Sequence, residues 1–205
     1  MTMATLRVLS FNLWKNEGRF QERMQLLADA LPGLRADVLA LQECFAAPAL
    51  DIDVAASLAS ICNSQLARGE QRRKPRRHDG NLQDSRSDLA ILTRLPVEST
   101  TISALPDDPR DGDRNLLVAM LRHDGSSLCV ACTHFTHIAD GDTVRRQQAE
   151  AVVEALLADD TRTSLLMGDL NAPATSPALA GVIDHPRLHP DCREQARAVA
   201  GCGRT

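Results

Sequence analysis

The sequence predicts an α/β protein built as a layered sandwich, and three observations carry that reading. Short apolar or alternating runs with strand character recur between segments with helical spacing. Residues 116–121 are nearly continuously apolar, which marks a strand covered on both faces inside a layered core. Asp124-Gly125 lies between two such runs and is a strong hairpin signal.

Taken in order, residues 6–12 alternate apolar and polar and form a strand ending in Asn12. A helix over 18–31 follows, with Phe20, Met24, Leu27, Ala28 and Leu31 on one face and Pro32-Gly33 as its stop. Residues 37–43 are the second strand, with Glu43 near its end, and a second helix is expected over 50–66. Residues 68–86 pack Arg68, Arg72, Arg73, Lys74, Arg76, Arg77 and Arg86 among polar residues, and read as a loop. That loop is either simply solvated or an arm that concentrates anions beside a site.

Residues 87–93 form a third strand, 97–102 an edge strand after Pro96, and 115–123 and 126–135 the hairpin around Asp124-Gly125. A helix over 143–157 carries Ala149, Val152, Val153, Leu156 and Leu157 as its apolar stripe, capped by Asp142 or Thr143. Residues 163–167 are a short buried strand leading into Gly168-Asp169-Leu170-Asn171. In an extended chain Asp169 and Asn171 share a face while Leu170 turns to the core, and an Asx turn is the plainer alternative. A short helical piece near 176–183 and an Arg-rich polar tail complete the chain, and no solenoid-period repeat is present.

Composition narrows the function. At 205 residues the chain suits a single domain, 1–205. A net charge of −4 gives no global nucleic-acid signature, and four Phe, one Trp and no Tyr argue against a surface that stacks many bases. Trp14 is read as a packing residue in preference to a substrate platform, with a rim position as the alternative, His137 as structural or solvent-exposed, and Arg94 as a surface charge in preference to a phosphate contact. Cys129 and Cys132 have C-x-x-C spacing, but in a strand they point to opposite faces, so neither a metal clip nor a redox turn fits. Most cysteines read as small buried hydrophobes. No signal segment and no 18-residue apolar run is present, so a cytoplasmic protein without a transmembrane segment is expected.

Four strands end in polar groups: Asn12, Glu43, His134, and Asp169 with Asn171. If these ends share one rim, they form a cleft of two carboxylates, two amides and an imidazole. Such a set suits a hard cation, Mg²⁺ with Mn²⁺ as a substitute, far better than zinc. Asp169 would orient or deprotonate a water, and Asn171 and His134 would donate to phosphoryl oxygens. A metal-free esterase lacks support, since there is no Gly-x-Ser-x-Gly elbow.

The runs Leu9-Ser10-Phe11-Asn12, Leu41-Gln42-Glu43, 87–94, Thr133-His134-Phe135 and Gly168-Asp169-Leu170-Asn171 resemble, in order and spacing, the signatures of the endonuclease/exonuclease/phosphatase family. Arg145-Arg146-Gln147 falls where that family often has an Arg-x-x-Gln-type pattern. The resemblance implies a four-layer α/β/β/α sandwich of two packed mixed sheets and Mg²⁺-dependent cleavage of phosphate esters. It implies Glu43 as metal ligand with Asn12 beside it, Asp169 positioning water, and Asn171 and His134 holding phosphate. The substrate class, whether nucleic acid, lipid head group or small phosphate ester, stays open.

The family closes with a late Asp and a Ser-Asp-His motif, several tens of residues beyond Asp-x-Asn. Here the sequence runs 34 residues past Asn171, to Thr205. Asp184-His185 follows too soon to be that motif and reads as loop. The expectation is a truncated member that has lost a general base, with an incomplete second sheet, an exposed edge open to self-association, and activity well below that of a full-length relative or none beyond phosphate binding.

Overall fold

The computed structural model describes residues 5–71, 73–159 and 163–188. Ten strands form two sheets. In chain order the strands are β1 (Val8–Asn12), β2 (Val38–Ala47), β3 (Ile52–Asp53), β4 (Gln65–Gly69), β5 (Lys74–His78), β6 (Asn81–Thr93), β7 (Val97–Ala104), β8 (Asn115–His123), β9 (Ser126–His134) and β10 (Thr163–Asp169). The helices are α1 (Phe20–Leu34), α2 (Val54–Ile61), α3 (Asp142–Leu157) and α4 (Ala180–Ile183). One sheet runs β1-β2-β6-β4, with β3 on β2 and β5 on β6; the other runs β10-β9-β8-β7. The pairs β1–β2 and β9–β10 are parallel and the rest antiparallel, so both sheets are mixed.

Three apolar clusters separate four layers. Along β2, Val38 and Ala40 face the other sheet and meet Leu117, Ala119, Val130 and Cys132, while Leu39 and Leu41 face Leu27, Leu31 and Leu58 of α1 and α2. The second sheet repeats the device: Cys132 joins the central cluster and Cys129 the outer one, with Val152 and Leu156 of α3. Period-two alternation thus feeds two interfaces from each sheet, giving the α/β/β/α order. The C-x-x-C pair lies on opposite faces, as expected.

Several elements differ from the sequence reading. Pro32-Gly33 does not stop the first helix, which runs on to Leu34 and ends at left-handed Arg35 (φ 50°). The second strand does not end near Glu43 but continues to Ala47, and α3 follows Gly141 with no side-chain cap from Asp142 or Thr143. The helix expected over 50–66 ends at Ile61, because Asn63 takes a left-handed conformation (φ 49°) and the chain turns back into β4. The stretch 68–86 is not a loop. It contributes the end of β4, all of β5 and the start of β6, the last two a hairpin turned by Asp79-Gly80. Three of its arginines pair with carboxylates, Arg68 with Asp53 and Asp88, Arg73 with Asp84, and Arg86 with Glu70 and Asp88, while Arg76 donates to Ser85 and Arg77 to Gly80 O. Arg72 lies outside the described residues. Finally, β10 stops at Asp169, and Asn171 is left-handed (φ 50°) in an Asx turn, its N–H donating to Asp169 Oδ1 at 3.0 Å. Leu170 does turn to the core. The Arg-rich tail, Cys192 and Cys202 lie outside the described residues.

Gly168 shows how tightly β10 lies against β9. A Cβ built there would sit 2.2 Å from the Thr133 carbonyl oxygen, on a backbone with φ 156°. Gly168→Ala is expected to cost about 3 kcal/mol or more of unfolding free energy, measured by urea denaturation. Gly33→Ala, where a Cβ would meet nothing within 4 Å, is expected to change stability by no more than about 1 kcal/mol.

Candidate active site

The C-terminal ends of β1, β9 and β10, and β2 at Glu43, open into one cavity of about 410 Å³. Asn12, Glu43, His134, Asp169 and Asn171 all line it. The sequence-predicted residues are therefore brought together, whereas Asp184 and His185 are not among the lining residues: Asp184 caps α4 and His185 accepts from the Arg187 N–H.

Each side chain is aimed by a local feature. The β2–β6 register shifts between Leu41 and Cys44, and Glu43 inside that irregularity is left-handed (φ 57°). The bulge frees Glu43 from the alternation that buries its neighbours, and its carboxylate reaches the cavity while the residue is only 9% exposed. Beyond β1 the chain keeps following β2, with Leu13 N–H donating to Gln42 O and Lys15 N–H to Glu43 O. That path places Lys15 Nζ 3.0 Å from Glu43 Oε1. Asn12 donates from Nδ2 to Asp169 Oδ2 at 2.9 Å and accepts the Trp14 N–H on Oδ1.

His134 stands between the carboxylates, with Nδ1 4.0 Å from Glu43 Oε1 and Nε2 4.0 Å from Asp169 Oδ2. Burial lowers its pKa to about 4, helped by the Arg114 charge and opposed by Asp169. It is therefore a neutral hydrogen-bonding group at physiological pH.

Asn171 donates one amide hydrogen to Phe135 O at 2.8 Å, leaving the other uncommitted by that bond. The segment after His134 is clamped from α3. Buried Arg145 donates to the carbonyls of Thr136, Ile138 and Ala139, and buried Gln148 accepts the Thr136 N–H and donates to Pro106 O. The Arg-x-x-Gln spacing thus positions the strand end that carries His134.

Lys15, Asp111 and Arg114 line the cavity and escaped the sequence reading, and Lys74 and Arg76 line it too. Lys74 and Arg76 come from the hairpin taken for a loop, so part of the basic stretch does face the site. Asp111 is desolvated, which alone would raise its pKa, but bonds from Thr136 Oγ1, Arg114 and the Gly112 N–H outweigh that and hold it at about 2. Its role is to orient Arg114, which also reaches His134 O and His137 Nδ1. His137 is 63% exposed by side chain, as expected. Arg94 pairs with Asp37 away from the cavity. Trp14 is a packing residue only in part: its backbone is left-handed (φ 56°), and it takes the rim position, 56% exposed at the cavity.

The His134 environment has a consequence for pH. Its folded pKa lies below the ordinary 6.5, so as pH falls the unfolded chain takes up a proton that the folded chain refuses. Stability is unaffected by this group above 6.5, is lost between 6.5 and about 4, and changes no further below. In chelator-treated protein, His134→Gln is expected to flatten the fall of the urea midpoint across that window. Parallel curves for the two proteins would refute it.

Sequence and structure comparisons bear on the fold and the family. The model of the endonuclease/exonuclease/phosphatase family matches residues 9–202. No curated protein matches the chain. Among solved structures, humanized D. rerio TDP2 superposes with a TM-score of 0.66 at 19% identity, covering 90% of this chain and 72% of that one. The human Nocturnin catalytic domain gives 0.65 at 16%, covering 85% and 67%. A Bacteroides thetaiotaomicron mannosyl-6-phosphatase gives 0.65 at 19%, covering 88% and 70%. Four layers in the expected order, strand-end signatures gathered at one cavity, and a family match over nearly the whole sequence establish that this chain belongs to the endonuclease/exonuclease/phosphatase family of phosphoric ester hydrolases.

Proposed function

We propose that residues 1–205 act as one domain that hydrolyses phosphate esters by metal-assisted attack of water. The observation that carries this is the convergence of Glu43 and Asp169 on one neutral imidazole, each 4.0 Å from His134.

The donor set fits a hard divalent ion. Glu43, Asp169 and Asn12 offer oxygens, while the nearby Cys44 belongs to the outer apolar cluster. Among the described residues no three His, Cys, Asp or Glu are grouped to enclose a metal. An ion here would have one or two protein carboxylates and complete its shell with water and phosphate oxygens, the habit of Mg²⁺, with Mn²⁺ able to substitute. Glu43 would hold it, with Asn12 beside. The Lys15 ammonium at 3.0 Å supports room for positive charge at that carboxylate. Once bound, the ion would neutralise charge on the leaving oxygen.

The chain's own residues do the rest. Each Asp169 oxygen already accepts one hydrogen bond, from Asn12 Nδ2 and from the Asn171 N–H, so the carboxylate is fixed and keeps lone pairs for a water. It can therefore orient that water and take its proton. Neutral His134 and the second amide hydrogen of Asn171 donate to phosphoryl oxygens. Lys15 and Arg76 add positive potential; burial lowers the Arg76 pKa, against Glu43 and Asp88, without discharging it. Candidate substrates span nucleic acid, lipid head groups and small phosphate esters.

A second reading, a phosphate-binding protein with impaired turnover, is favoured by the position of Asp184 and His185 outside the cavity lining. Self-association is proposed along the outer edge of β10, the last strand of its sheet among the described residues; rising apparent mass with concentration in size-exclusion chromatography would support it.

A phosphoesterase panel (plasmid, abasic DNA, bis-p-nitrophenyl phosphate and sphingomyelin), run with and without Mg²⁺, tests the assignment. Turnover is expected to need the ion and to drop about a hundredfold or more in Glu43→Gln and in Asp169→Asn. Activity indifferent to both substitutions would sink the assigned site. Phosphate binding without turnover would select the second reading.

A further inference from the structure

We propose that Trp14 is a stacking platform for a planar base, so that the ester taken at this site carries a nucleobase. The proposal rests on the hydrolase reading above and names its substrate class.

Trp14 is the single tryptophan of the chain, which has no tyrosine, and none of the four phenylalanines lines the cavity. The lining is otherwise polar apart from Leu89 and the glycine Gly112. An indole left 56% exposed in such a wall contributes little to packing.

Yet the ring is held firmly. Trp14 and Lys15 are consecutive left-handed residues (φ 56° and 47°), a costly backbone for side-chain-bearing residues. One guanidinium, that of Arg23, donates to the carbonyls of Leu13, Trp14, Lys15 and Glu17 at 2.9–3.3 Å. Its Cζ also lies 5.4 Å from the indole centroid. Gly18 leaves space for the ring, since a Cβ there would sit 2.8 Å from Trp14 Cζ3. The Trp14 N–H is spent on Asn12 Oδ1 at 2.8 Å.

A fixed, half-uncovered aromatic plane beside a phosphate-binding cavity is what a base needs. Stacking asks for a rigid flat face, and a preformed one loses little entropy on binding. The placement also suits a nucleotide, because Asn12, which bonds Asp169, and Lys15, which pairs with Glu43, flank Trp14 within the same turn. A base on the indole would therefore lie next to a phosphate at Glu43 and Asp169. The cavity of about 410 Å³ falls at the small end of ligand sites, suited to a nucleotide or strand terminus.

The single tryptophan also supplies the probe. In Asp169→Asn protein with Mg²⁺, adenosine 5′-monophosphate and ribose 5-phosphate are titrated, following Trp14 emission and binding heat. The nucleotide is expected to quench the emission and to bind about tenfold more tightly than the sugar phosphate. Trp14→Ala is expected to erase that preference while leaving ribose 5-phosphate affinity unchanged, and Trp14→Phe to keep most of it. Circular dichroism of each variant checks the fold. Equal affinities without quenching in the parent, or a preference that survives Trp14→Ala, would overturn the platform and leave the phosphate site standing. Binding of neither compound, in this variant and in the unsubstituted protein, would overturn both.

Discussion

Asn12 Nδ2 and Asp169 Oδ2, 2.9 Å apart, tie the two sheets together at the mouth of the sandwich. Asn12 ends β1 and Asp169 ends β10, and each strand is the terminal, parallel member of its own sheet. Apolar packing between sheets is non-directional and tolerates sliding. A side-chain hydrogen bond between strand ends does not. The close β9–β10 contact at Gly168 fixes the Asp169 side of this tie, and the parallel β1–β2 register fixes the Asn12 side. Glu43 and His134 then fall into place as the next strands inward, β2 and β9.

The same arrangement sets the electrostatics. Two carboxylates flank a desolvated imidazole, and two of the cations nearby have an anionic partner: Lys15 with Glu43, Arg114 with Asp111. His134 stays neutral because burial and the Arg114 and Lys15 charges outweigh the pull of Asp169 and Asp111. On the proposed reading, such a site takes a doubly charged cation and an anionic ester without first neutralising itself, since the ester's negative charge and the ion's positive charge arrive together.

Legibility in the sequence tracked the type of interaction. Strand ends were readable where an apolar run gives way to a polar residue, as at Asn12 and His134, but the same signal at Glu43 marked a bulge within β2 and not its end. The β5–β6 hairpin was not, because Arg73 with Asp84 and Arg76 with Ser85 stabilise it through polar cross-strand pairs that leave no apolar alternation. The over-long second helix failed at Asn63, where a left-handed residue overrides an apolar stretch. Asp169 and Asn171 were placed at the site, but the turn between them depends on a hydrogen bond that spacing alone does not specify. Lys15 and Arg114 could have been suspected only from the loops that follow a strand end or precede β8. Residue type there carries no period, so contact with the cavity emerges only once the layers are stacked.

Backbone conformation gives an independent marker of the same place. Among the described residues, nine that carry side chains have positive φ. Five of them turn the chain outside the site: Arg35 and Asp51 end helical turns, Asn63 follows α2, and Asp79 and Asp124 lie in hairpin turns. The other four, Trp14, Lys15, Glu43 and Asn171, all line the cavity. A hairpin turn needs its left-handed residue to reverse direction, whereas Glu43 lies within a ten-residue buried strand that could have run straight through. Regular alternation would send its carboxylate into an apolar layer or pair it across the sheets, and the bulge avoids both. The cost of the bulge is met by the surrounding sheet, whose register on either side is regular. The bulge sets the Glu43 carboxylate at the cavity, 4.0 Å from His134 Nδ1, which is where the proposed reaction needs it.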